Sequence, residues 1–235
     1  MTYTNSPLVD YTQISPHRGN RNGHVIDTIT IHCAAAQAAV ETLGRLFQTK
    51  QASANYGIGA DGRVGMYVEE KDRSWCTSNN ANDARAVTIE VACDNRHPYA
   101  VKDAVYKKLI TLVADICKRN GIAKLVWSTD KYDRMNHKGG CNMTVHRDYE
   151  NKACPGQWLY ERHGQIAAEV NKRLTEDEEM VRWNKIEDVP EGFYRDTVKQ
   201  LMHDGIIKGK GNGVIDLTED MLRVMIFCQR IMEGK

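Results

Sequence analysis

Hydrophobic and polar residues alternate along two segments of the chain, and this alternation is typical of β-strands. Residues 25–32 read VIDTITIH, with the two later isoleucines on one face and the threonines and His32 on the other. Residues 86–93 read AVTIEVAC and repeat the pattern. Two more short strands are predicted within residues 54–68, because Asp61-Gly62 between them is a strong hairpin-turn signal.

Apolar residues spaced three or four positions apart predict helices between these strands. The predicted helices are residues 38–49, 101–120 and 157–174, and Gly121 is a suitable left-handed cap for the second. Residues 125–127 are predicted as a short strand, and the polar residues 128–144 as a long loop. Strands interspersed with helices predict an α/β domain with a central mixed β-sheet flanked by helices.

The acidic run TEDEE at residues 175–179 is the best candidate for a domain boundary. We therefore predict a first domain at residues 1–174, an acidic linker at 175–182 and a small, mostly α-helical module at 183–235. Helices are predicted at residues 197–204 and 218–232, with four glycines between them. A module of about 50 residues has only a marginal core, so docking or self-association is expected.

The composition excludes several classes of protein. Of the 235 residues, 41% are hydrophobic and 27% are charged, as in soluble globular proteins, and the net charge of +1 argues against a nucleic-acid binder. No segment approaches the roughly 18 apolar residues of a membrane span. The N-terminal residues have no basic start followed by an apolar run, so we expect synthesis in a cytoplasm without a signal peptide.

Seven cysteines occur without a CxxC pair, and most are expected to be reduced and buried. His146 and Cys154 lie eight residues apart in a segment that ends in Pro155-Gly156. Imidazole and thiolate both bind zinc, but this spacing alone fits a surface histidine and a core cysteine better. His32, at the end of a strand, has the same two interpretations: a cleft residue, or a histidine that only forms hydrogen bonds there.

Four motifs together change this balance: TITIHCAA, ANYGIGADGRV, VTIEVA and TVHRDYENKACPG. They occur in the order found in the N-acetylmuramoyl-L-alanine amidase family, which the chain resembles over roughly residues 20–174. The family includes amidase-type phage lysins, the muropeptide-recycling amidase and the peptidoglycan recognition proteins. The resemblance implies one zinc ion per chain, held by His32, His146 and Cys154. Some relatives have aspartate at the position of Cys154.

The resemblance also suggests catalytic roles for three further residues. It makes Glu90 the base that takes a proton from water, and it places Tyr56 beside the zinc site. Lys152, two residues before Cys154, is suited to stabilise a negative oxygen in the transition state. The alternative interpretations are a solvent-facing glutamate, a tyrosine packed in the core and an ordinary surface lysine.

Other residues with possible roles are not distinguished by the sequence. Four residues have two possible locations, a groove for glycan or peptide or simply the core: Trp75, Trp127, Tyr67 and Arg134. The remaining histidines match no ligand of the family and are interpreted as ordinary: His17, His24, His97, His137, His163 and His203.

Residues 183–235 resemble a single surface-layer-homology repeat, although DLTEDMLR departs from the usual motif of such repeats. The resemblance suggests a secondary cell-wall polymer as a partner, and self-association into a homo-oligomer is the alternative. For the whole chain we expect hydrolysis of the amide between N-acetylmuramic acid and L-alanine in bacterial peptidoglycan, by a phage or prophage endolysin that acts on the wall after release. The alternatives are a bacterial autolysin, a muropeptide-recycling amidase and a non-catalytic peptidoglycan-binding protein.

Overall fold

The chain folds into two compact units, Met1–Leu174 and Thr175–Lys235. The computed structural model describes residues 3–179 and 182–232. In chain order, the elements that begin in the first unit are β1 (Tyr11–Thr12), β2 (Arg18–Asn20), β3 (Thr28–Cys33), α1 (Val40–Thr49), β4 (Tyr56–Ile58), β5 (Val64–Met66), β6 (Asp72–Ser74), α2 (Asn80–Arg85), β7 (Ala86–Val91), α3 (Asp103–Asn120), α4 (Lys131–Met135), β8 (Met143–Thr144) and α5 (Gln157–Glu179).

The main sheet has six strands in the order β1-β5-β4-β7-β3-β8. Its centre is parallel, because β7 pairs in parallel with both β3 and β4, and β3 pairs in parallel with β8. The pair of β4 and β5 is antiparallel and corresponds to the predicted hairpin. The predicted α/β class with a central mixed sheet is therefore confirmed. Strands β2 and β6 form a separate antiparallel pair.

The two faces of the sheet are buried by different kinds of contact. On one face, the isoleucines of β3 and the apolar residues of β7 share a hydrophobic cluster with the apolar side of α3 and with residues of α5. On the other face, Thr30 and Thr144 are buried with their hydroxyl oxygens 2.7 Å apart, and both bond to the side chain of Asn82. These buried polar residues therefore lie on the same face of the sheet as His32.

Several predicted boundaries differ from the structure. Residues 125–127 are not a strand, and the predicted loop at 128–144 contains α4, a 3-10 turn at Lys138–Gly140 and β8. The helix predicted to end at residue 174 continues to Glu179, so the acidic run is helical. Helix α3 ends at Asn120 as predicted, and Gly121 adopts a φ of 70°.

The second unit contains β9 (Arg182–Trp183), a 3-10 turn at Ile186–Asp188, α6 (Phe193–His203), β10 (Leu217–Thr218) and α7 (Glu219–Met232). Strands β9 and β10 pair in antiparallel fashion. A small cluster that includes Trp183, Val198, Leu201 and Leu222 forms its core. No described helix of the chain combines the length and the hydropathy that crossing a membrane requires.

Candidate metal centre

His32 and Glu90 are direct neighbours on two parallel strands. In the register of β3 and β7, His32 pairs with Glu90 and Ile31 pairs with Ile89. Because side chains alternate along a strand, the histidine and the glutamate lie on the face opposite the two isoleucines. Both are close to the carboxyl ends of their strands, where open α/β sheets commonly bind ligands.

A loop brings His146 and Cys154 together. His146 begins a 3-10 turn, His146–Asp148, just after β8, the strand next to β3. The backbone N–H of Arg147 donates a hydrogen bond to the carbonyl oxygen of Cys154 at 3.3 Å. This hydrogen bond closes the loop that runs from His146 to Cys154. It explains how two residues eight positions apart can act together.

The three side chains converge at the end of β3. The Cys154 Sγ lies 3.3 Å from His32 Nδ1, and the ring centroids of His32 and His146 are 5.1 Å apart. One potential ligand atom from each of the three residues lies within 4.8 Å of the others. Tetrahedral zinc with N and S ligands at about 2.0 and 2.3 Å holds such atoms about 3.5 Å apart. The geometry and the donor types therefore fit a zinc ion.

Unpartnered polar atoms at this position give the same indication. His32 Nε2, His146 Nε2 and Glu90 Oε2 are buried and have no hydrogen-bond partner among the described residues. Buried polar atoms are almost always paired, because leaving one unpaired costs about 1–3 kcal/mol. Three such atoms at one site are expected where a protein binds a cation together with water or substrate.

Burial sets the charge of the candidate ligands. It lowers the pKa of His32 to about 3, with smaller contributions from His146 and His163. The pKa of His146 is also lowered, by burial first and by Lys152 second. Both imidazoles are thus neutral at neutral pH, which is the form that binds metal.

Glu90 has the opposite shift. Burial, followed by the neighbouring Cys93, raises the pKa of the Glu90 carboxyl to about 8. Its predicted alternative, a solvent-facing glutamate, does not fit a residue whose Oε2 is buried. A cation held by the three ligands would lower this pKa again and so restore the carboxylate.

The sequence of the chain matches the model of the N-acetylmuramoyl-L-alanine amidase family over residues 22–157, which is more than half of its length. The chain belongs to this family. No curated protein sequence matches it.

Solved structures that are similar to this amidase-family chain include AmpD and an endolysin. A selenomethionine derivative of AmpD matches with a TM-score of 0.51 and 17% identity, over 71% of this chain and 99% of that one. The endolysin N-acetylmuramoyl-L-alanine amidase LysCS from Clostridium intestinale URNW matches with a TM-score of 0.51 and 16% identity, over 72% and 99%. At these identities the similarity shows the amidase fold.

Tyr56 is the predicted site residue that the structure does not bring to the amidase centre. In the register of β4 and β7 it pairs with Ile89, and Gly57 pairs with Glu90. The Tyr56 side chain therefore lies on the opposite face of the sheet from Glu90. Its hydroxyl donates to Glu70 Oε1 at 2.7 Å and accepts from the N–H of Ser6 at 2.9 Å, within a buried polar network.

Lys152 lies on the loop between the two ligands, with an exposed side chain. It lines a cavity together with Arg147 and Ala153, both of which flank a candidate ligand in the chain. Its position therefore allows the predicted contact with substrate beside the metal centre.

The candidates for a substrate groove have different surroundings. Tyr67 is buried, and its hydroxyl donates to the carbonyl oxygen of Val40 at 2.8 Å. Arg134 is also buried and forms a two-point ion pair with Asp148. The Arg134 guanidinium packs beside Trp127, with its Cζ 4.6 Å from the centroid of the Trp127 ring. Trp75 is 37% exposed, so it is the one of the four that presents a large surface to solvent.

Two features of the centre are missing from the sequence-based prediction. The Cys76 thiol and a Glu90 carboxylate oxygen lie within 4.8 Å of each other and of His32, and no sequence pattern indicated this cysteine. Asp148 accepts a hydrogen bond from the N–H of Val145 and so fixes the turn that carries His146. An acid two residues after the histidine was the available signal for this second feature.

Proposed function

We propose that this chain hydrolyses the amide between N-acetylmuramic acid and L-alanine in bacterial peptidoglycan, with zinc held by His32, His146 and Cys154. The observation that carries the proposal is the meeting of these side chains within 4.8 Å at the end of β3. Glu90 is directly beside them on β7. Membership of the family supports the substrate and the reaction.

When bound, zinc supplies a Lewis acid that polarises a carbonyl group and lowers the pKa of water. Glu90, whose Oε2 is buried and free to accept, takes the proton from the attacking water. Lys152 stabilises the negative charge that develops on the former carbonyl oxygen. Glu90 then delivers the proton to the departing nitrogen, so that the C–N bond breaks. The sugar keeps the new carboxyl group, and the peptide leaves with a free amine on its L-alanine.

We further propose a role in cell-wall lysis as a phage endolysin. This role is supported by the similarity to LysCS, which is itself described as an endolysin. A non-catalytic binding protein is disfavoured, because all three ligand positions and Glu90 are filled by residues able to do this chemistry. For the second unit, the resemblance to a surface-layer-homology repeat supports attachment to a wall polymer.

Digestion of purified cell wall tests the reaction. We expect new alanine amines without new reducing sugars, loss of activity with a chelator, and recovery with zinc. His146→Ala should reduce amine release and zinc binding by at least ~100-fold, since a ligand is worth at least as much as its supporting partners.

His24→Ala is the matched control, because His24 is exposed and takes no part in the candidate centre. It should behave like the wild type. New reducing ends would instead identify a glycosidase, and binding without any release would identify a non-catalytic protein. Lysis by His146→Ala would exclude the proposed ligand set.

A further inference from the structure

A cavity of about 690 Å³ is lined in part by residues next to both loop ligands, His146 and Cys154. Arg147 directly follows His146, and Lys152 and Ala153 directly precede Cys154. Lys131, the first residue of α4, contributes to the same lining. A group bound in this cavity is therefore held by the chain segments that also position the metal centre.

The charge of the lining is unbalanced. Three bases, Lys131, Arg147 and Lys152, face one acid, Glu150. Lys131 and Lys152 are exposed, and the described residues offer neither of them an ion-pair partner. Since their charges are not neutralised within the described chain, the cavity favours an anion.

Arg147 contributes a positive charge to this lining, and its guanidinium is held in place by two contacts. Its Nη2 donates to the carbonyl oxygen of Ala153 at 2.6 Å, and its Cζ lies 4.5 Å from the ring centroid of Tyr160. A guanidinium held on two sides loses little freedom when it binds an anion, which favours binding. Lys131, by contrast, is exposed and can be replaced without opening the core.

We propose that this cavity binds the carboxylates of the peptide stem, and that Lys131 and Arg147 give the enzyme a preference for stems that carry free carboxylates. The proposal rests on the proposed function. The scissile amide joins two unlike parts: the lactyl carboxyl of the sugar is consumed in the amide, whereas the peptide keeps carboxylates of its own. A cationic cavity beside the centre therefore fits the peptide part, which leaves the glycan outside it.

Two muramoyl-peptide substrates of the same sequence provide the test, one with free carboxyls and one with the carboxyls amidated. We expect the wild type to have a lower KM for the free acid. Lys131→Ala should raise that KM about five-fold, as for loss of one partly exposed ion pair. It should leave the KM for the amidated substrate unchanged, and Lys131→Arg should restore the preference. High salt should reduce the difference, since it screens exposed charges.

Lys107→Ala removes the same charge from an exposed position on α3, outside the cavity, and should change neither KM. Equal effects of Lys131→Ala on both substrates, or equal effects of the two alanine variants, would overturn the proposal. If the wild type cleaves neither substrate, the proposed function fails. Calorimetric binding of the two peptides to the Glu90→Gln protein then decides the cavity separately: tighter binding of the free acid supports the inference, and equal binding overturns it.

Discussion

His32 combines two conditions that rarely occur together, complete burial and a ring nitrogen without a partner. Burial favours the neutral imidazole, and the unpaired nitrogen leaves the residue under-satisfied. Glu90 and His146 share this property at the same position. Metal binding gives these unpaired atoms a partner and so offsets part of the free energy lost by burying them. We therefore expect these residues to destabilise the metal-free protein and to favour the metal-bound protein.

Burial of His163 predicts a pH dependence of stability that does not depend on metal binding. It is fully buried, and burial lowers its pKa to about 4. Between pH 6.5 and 4 the unfolded chain binds a proton that the folded chain does not, so the free energy of unfolding falls as the pH falls through this window. The shift corresponds to about 3 kcal/mol. Urea unfolding of the metal-free protein from pH 7 to 4 measures it.

His163→Leu should flatten this pH dependence, although His32 still titrates in the variant and retains its own part of the slope. His203→Gln serves as the control, because it replaces a histidine whose side chain is 83% exposed rather than buried. An unchanged slope in His163→Leu would show that the proton taken up on unfolding comes from elsewhere.

At the scale of elements, strand alternation explains which part of the site the sequence predicts. The alternation in residues 25–32 and 86–93 predicted that His32 and Glu90 lie away from the apolar side chains of their strands, as the structure shows. Alternation within one strand does not determine its register with the next. The family resemblance implies that Tyr56 lies beside the zinc site, but pairing with Ile89 puts its side chain on the other face of the sheet.

The loop elements were predictable only in part. The motif around His146 and Cys154 indicated two ligands, but the hydrogen bond that closes the loop joins residues whose proximity the sequence does not show. The sequence does not decide between a groove and the core for Arg134, because its partner Asp148 lies 14 positions away, on another element. Ion pairs between elements depend on tertiary packing, which the local pattern does not determine.

The Arg134–Asp148 pair links α4 to the turn that carries His146. Arg134 Nε and Nη2 donate to the two carboxylate oxygens of Asp148 at 2.8 and 2.5 Å, and both side chains are nearly inaccessible. Lysine keeps the charge but not the two-point geometry. We expect Arg134→Lys to weaken zinc affinity by roughly 10-fold, in the range found for residues that support a ligand. Competition with a chromophoric chelator measures the affinity.

Arg85→Lys is a matched control for this effect. Arg85 forms the same two-point pair with Asp27, at 2.9 and 2.5 Å, just before the first residue of β3. His32 is near the other end of that strand, so this substitution should change zinc affinity less than two-fold, a shift below about 0.4 kcal/mol. Equal losses in the two variants would mean that Arg134 acts on general stability rather than on the turn.

For the whole molecule, the metal centre ties together parts of the first unit that are distant in sequence. Its candidate ligands come from β3, from the turn after β8 and from the end of the loop before α5. None of the candidate ligands comes from the second unit, whose described residues have a hydrophobic cluster of their own. Metal binding is therefore expected to stabilise the two units unequally.

Hydrogen exchange with and without a chelator tests this expectation. A ligand present at 100 times its Kd stabilises the state that binds it by about 2.7 kcal/mol, which slows exchange through global opening roughly 100-fold. We expect zinc removal to speed exchange of the most protected amides of β3 and β7, and more strongly at the His146–Asp148 turn. Helix α6, in the second unit, is the internal control and should exchange at the same rate in both samples. Equal acceleration in α6 would mean that the units unfold together, and unchanged exchange in β3 would contradict a metal bound by His32.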